Sequence, residues 1–70
     1  MTNAQINRKF ITALDATTQA EILDNVARNY GITRQQAFEE VTDDEAEHLL
    51  DYVTGPQRMA TSLLMKRHGV

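Results

Sequence analysis

Three side chains in this sequence have the types and spacing of a metal site. Asp44, His48 and Asp51 stand at i, i+4 and i+7, so on a helix they share one face, and two carboxylates with an imidazole suit a divalent cation. That face lies opposite an apolar stripe of Ala46, Leu49, Leu50 and Val53, which places it in solvent. Nothing nearby supplies the outer shell of hydrogen bonds that orients metal ligands, so no bound metal is expected. Ser62 is the one serine, and it falls inside a predicted helix rather than in the strand-to-helix elbow that exposes a serine nucleophile. The chain has no cysteine and no glycine-rich phosphate loop, so neither thiolate chemistry nor a phosphate cradle is expected. General acid–base work needs a concave, partly desolvated site, for which 70 residues leave little room. No catalytic residue and no cofactor is expected, and the chain reads as a protein other than an enzyme.

The carboxylates point instead to binding. Seven acids lie between Glu39 and Asp51 with no Lys or Arg among them, while the rest of the chain carries seven basic and three acidic residues. So uneven a layout steers partners more than it determines a fold. Glu39, Glu40, Asp43, Asp44, Glu47 and Asp51 are the candidate contact residues for a basic protein partner. A second copy of the chain qualifies as that partner, because Arg8, Lys9, Lys66 and Arg67 leave both ends basic.

The elements that must carry these groups are helices. Apolar residues recur every three to four positions: Ile6, Phe10, Ile11 and Leu14; Ile22, Leu23, Val26, Ala27 and Tyr30; Ala37, Phe38 and Val41; the stripe from Ala46 to Val53; and Met59, Ala60, Leu63 and Leu64. Thr18 with Glu21, Thr33 with Gln36, Thr42 with Glu45 and Thr54 with Gln57 have capping-box spacing, although Pro56 favours Gly55 as the cap of the last helix. Asp43, Asp44 and Glu45 open the fourth segment, and Lys66, Arg67 and His68 close the fifth, as the helix dipole favours. The expectation is an all-α fold, one small domain over residues 1–70, with five helices near 3–14, 18–30, 34–41, 43–53 and 56–68. Its core is expected from Phe10, Leu14, Ile22, Val26, Tyr30, Ile32, Phe38, Leu49, Leu50, Val53, Leu63 and Leu64.

Residues 23–41 carry a further pattern. Ala27 is a small residue where two helices would touch, Gly31 follows four positions later in the turn, then come Ile32, the cap Thr33, and Ala37. This segment resembles a helix-turn-helix. The resemblance implies a recognition helix over residues 34–41, with Arg34, Gln35 and Gln36 facing base edges in DNA. The same spacing also describes a plain corner between two helices. Glu40 stands where the pattern has an aliphatic residue, and the acids from Glu39 onward oppose the phosphate neutralisation on which DNA affinity rests. The leading expectation is therefore a non-enzymatic protein-binding or regulatory module, with DNA binding as the alternative.

A core this small supplies roughly 3–5 kcal/mol unless something staples it, and with no cysteine the substitutes are well-capped helices and a partner surface. The polar start and the lack of any run of about 18 apolar residues lead to the expectation of a cytoplasmic chain without a membrane span.

Overall fold

The computed structural model describes residues 1–70. Four α-helices form, each with an identifiable start: α1, Asn3–Ala13; α2, Ala16–Tyr30; α3, Arg34–Val41; and α4, Pro56–Arg67. Thr2 opens α1 through a capping box with Gln5, in which Gln5 N–H donates to Thr2 Oγ1 at 3.2 Å and Thr2 N–H donates to Gln5 Oε1 at 2.9 Å. α2 starts two residues earlier than its spacing suggests. Its cap is Asp15, which accepts from Thr18 N–H and Thr18 Oγ1, so the box expected from Thr18 and Glu21 does not form. A carboxylate offers two acceptors where a hydroxyl offers one, and Asp is as strong a cap as Ser. Gly31 ends α2 at φ +65°, in the left-handed conformation that glycine adopts at no steric cost. Two residues later the Thr33–Gln36 box opens α3 as expected. Gly55 precedes α4 without a side-chain cap, and Pro56 occupies its first turn.

The helix expected over residues 43–53 does not form. After α3 the chain turns through 42–48, makes one 3₁₀ turn at Leu49–Asp51, and runs on to Gly55. Local competition contributes. Thr42 Oγ1 donates back to Phe38 O, and Asp43 Oδ1 accepts from Glu45 N–H, a bond that replaces the Thr42–Glu45 box. Along a continuous helix Glu39–Asp43, Glu40–Asp44 and Asp43–Glu47 would also be like-charged i, i+4 pairs. The decisive contact is distant in sequence. Asn7, fully buried on α1, donates through Nδ2 to Val41 O at 2.8 Å and Glu47 O at 3.0 Å, and its Oδ1 accepts from Leu49 N–H at 3.3 Å. One amide thus satisfies the last carbonyl of α3 and two backbone groups of the irregular segment after it.

The stripe expected on that missing helix is buried all the same. Ala46, Leu49 and Val53 are buried and Leu50 is half-buried, placed there by the turn and the 3₁₀ segment. Around Phe10, Ile11 and Val26, all with no exposure, the core also takes in Ile22, Leu23, Ala37, Val41, Tyr52 and Met65. α2 and α3 make the most extensive helix–helix contact, α1 packs on α3, and α4 closes over α2 and the 3₁₀ turn. A radius of gyration of 10.7 Å matches the roughly 11 Å of a compact 70-residue chain. Two expected core residues lie outside. Tyr30 is 52% exposed at the end of α2, and Leu63 is 62% exposed on the outer face of α4. Leu14, Ile32, Phe38 and Leu64 are half-buried against the core. Met65, absent from the expected set, replaces Leu63 because α4 turns its Thr61–Met65 edge inward.

No helix is long and apolar enough to cross a membrane.

Candidate functional site

The largest concave feature is an open groove of about 840 Å³ between α1, the first half of α2, α3 and the turn that follows it. Leu23 and the half-buried Phe38 supply its apolar surface. Arg8, from the exposed side of α1, sets its guanidinium 5.6 Å from the centre of the Phe38 ring, within cation–π range. Thr12, Gln19 and Gln35 add neutral polar groups, and Glu39, Asp43 and Asp44 add acids at the α3 end. Phe38 lies in this groove because residues 37 and 41 of α3 face the core, which turns position 38 toward the groove edge.

The candidate partner-binding acids do not form one helical face. Glu39, Asp43 and Asp44 border the groove. Glu40 and Asp43, with Glu45, border a smaller recess against Ala46 and Tyr52. Glu47 and Asp51 are exposed on the segment beyond and border neither. The separation follows directly from the missing helix.

The same absence undoes the face shared by Asp44, His48 and Asp51. All three are exposed, as the sequence suggests, but no group of three His, Asp or Glu side chains is placed to hold a metal ion. His48 has a local role instead, accepting from Leu50 N–H through Nδ1 at the start of the 3₁₀ turn.

The residues implied for DNA reading stand together at the start of α3, after a turn in which Gly31 closes α2 at φ +65° and Thr33 caps α3. Two of the three are already engaged within the chain. Arg34 makes a two-pronged bond to Asp24 of α2, Nε to Oδ1 at 2.8 Å and Nη2 to Oδ2 at 2.9 Å, the one ion pair in the molecule. Hydrogen bonding and charge from Arg34 hold the Asp24 carboxyl below its usual range, and Asp24 in turn raises the guanidinium pKa. Gln36 spends its side-chain oxygen on Thr33 N–H. Gln35 alone has an uncommitted side chain, and it opens into the groove.

Several residues that define the site have no signal in the sequence. Phe38 reads as core on spacing alone, and its half-burial at a groove edge is a tertiary outcome. Arg8 and Thr12 lie four apart on a polar helix face, a pattern shared by most solvated helices. Comparison with protein-family models, with curated proteins and with solved structures found no match to this chain.

Proposed function

We propose that this chain is a non-enzymatic binding module that takes a basic, partly apolar protein segment into the groove between α1, α2 and α3. The observation that carries this reading is the pairing of a half-buried aromatic at the groove edge with acids that lack an ion-pair partner. The half-buried Phe38, above the core residue Leu23, offers apolar contact area, and Glu39, Asp43 and Asp44 beside it have no ion-pair partner in the chain. Aromatic anchors provide much of the affinity of protein interfaces, whereas flanking charges set orientation and association rate. The groove's width and openness suit a macromolecular surface better than a small substrate, which needs enclosure on most sides.

Affinity capture from cell lysate with immobilised protein, at low and at physiological salt, tests the reading. Proteins retained by the parent should be lost when Glu39, Asp43 and Asp44 are changed together to Lys, and lost most clearly at low salt. The pair Glu47→Lys and Asp51→Lys, away from the groove, should retain them. Retention indifferent to the groove reversal, or no retained protein at all, counts against the proposal.

The second reading, DNA binding through α3, is favoured by the Gly31 turn and the capped helix after it. It requires Arg34 to leave Asp24 and a helix ending in Glu39 and Glu40 to approach phosphates. A gel shift of duplex DNA with a steep salt dependence, abolished by Arg34→Ala, would favour it over the groove.

A further inference from the structure

We infer that the segment received by the groove is α4 of a second copy of this chain, an inference that rests on the groove being the docking surface. α4 keeps an outer face covered by nothing in its own molecule: Met59 is 72% exposed and Leu63 62% exposed, one turn apart, with Pro56 and Ala60 also exposed. Lys66 and Arg67 continue that face, at seven residues from Met59 and four from Leu63. Each end of the face has a counterpart in the groove. The apolar turn around Met59 and Leu63 matches the half-buried Phe38, and the cations that follow match Glu39, Asp43 and Asp44.

Neither set of charges has an ion-pair partner within the chain, because its single ion pair is Arg34 with Asp24. An amphipathic helix laid into an apolar groove is a recurrent mode of recognition. A methionine–leucine pair beside an aromatic ring is well suited to it, since the thioether adapts to irregular surfaces and contacts aromatic edges favourably. The groove and the outer face of α4 share no residue, so the contact joins unlike surfaces. Both surfaces of one copy remain available to other copies until the assembly closes on itself. Burial of Leu63 in this contact also accounts for a leucine that the monomer leaves in water.

Analytical ultracentrifugation of the full chain over a range of concentrations at low salt is the test, with circular dichroism to confirm that each variant keeps its helices. The parent should associate with increasing concentration. Leu63→Glu should weaken association at least about tenfold, as burying an unpaired charge in an apolar contact requires. The double change Lys66→Glu with Arg67→Glu, and separately Asp43→Lys with Asp44→Lys, should each do the same. The two charge-reversed proteins mixed together should associate again, because both sides of the contact are then inverted.

A parent that stays monomeric at every concentration overturns the inference, as does a mixture that fails to associate when each reversed protein alone has lost association. Association that depends on Leu63 but ignores the groove reversal overturns it too, since α4 then meets some other surface. The groove itself is judged separately by capture from lysate. Retention there that is lost with Glu39, Asp43 and Asp44, beside a monomeric parent, leaves the groove as a site for a different protein. Failure of both measurements removes the groove.

Discussion

Two neighbouring regions of this small molecule, residues 16–41 and residues 42–54, carry comparable apolar spacing and comparable capping residues, yet they solve the same problem in opposite ways. In the first, the corner between the helices is satisfied within a few residues: Asp15 caps α2, Gly31 closes it and Thr33 with Gln36 opens α3. In the second, the backbone depends on distant side chains. Asn7 holds Glu47 and Leu49 as well as Val41 at the end of α3, and within the segment Tyr52 Oη accepts from Glu47 N–H. Asn29 of α2 donates to Tyr52 O and to Thr54 Oγ1, and Arg58 of α4 donates to Leu50 O. A corner built from local bonds can form before the rest of the fold. A strap held by three other parts of the chain forms only when they are in place.

The difference can be probed most strongly at Asn7. Replacing it with Ala strips partners from three backbone groups, and at about 1–3 kcal/mol for each group left buried and unpaired, a net loss of roughly 2–4 kcal/mol is expected. Hydrogen exchange should locate most of that loss in residues 42–54, while α2 and α3 amides keep more of their protection. Uniform deprotection across the molecule would show that the corner cannot stand without the strap.

A middle-sized effect is expected on the other side of the comparison. Gly31→Ala meets no atom within 4 Å, so its cost is the left-handed backbone alone, about 1–2 kcal/mol in thermal or urea unfolding. A neutral result would mean that the turn relaxes out of its positive φ, and that the corner is held by packing rather than by its turn.

The smallest effect should come from the exposed pair that ties α2 to α3. Asp24 has its pKa lowered in the folded chain, first by the hydrogen bonds from Arg34, so the folded state binds this proton less readily than the unfolded state. Its contribution to stability is therefore complete above the ordinary aspartate range and is lost as pH falls through the lower folded value. Asp15, lowered by its bonds from Thr18, behaves in the same sense. NMR titration of side-chain carboxyl carbons should find both midpoints below the ordinary aspartate value, and Arg34→Ala should return Asp24 but not Asp15 toward it. An unmoved Asp24 midpoint in that variant would mean that the bond to Arg34 is not maintained in solution. Being exposed, the pair should leave the unfolding curve near neutral pH almost unchanged.

The acidic tract shows how far a linear pattern can mislead. Ala46, Leu49, Leu50 and Val53 have helical spacing, and three of the four are buried, but an irregular path with one 3₁₀ turn buries them as well as a helix would. Thr42 and Glu45 have the spacing of a box, but Asp43 takes the Glu45 amide first. Spacing states which residues avoid water, and several backbone paths satisfy that demand. Around the groove the limit is similar. The charge of Glu39, Asp43 and Asp44 is visible in the chain, but which acids share a border with Phe38 depends on where α3 stops.

The amino-acid order by itself determined the helical character, the corner at Gly31, the start of α3 at Thr33 and the absence of any membrane-length apolar helix, because each rests on bonds or spacing within a few residues. Only the tertiary structure decided that residues 42–54 are not an α-helix, that Phe38 borders a groove and that Leu63 faces outward. Those outcomes are set by contacts such as Asn7 with Leu49, 42 residues apart, whose partners come together only once the helices have packed.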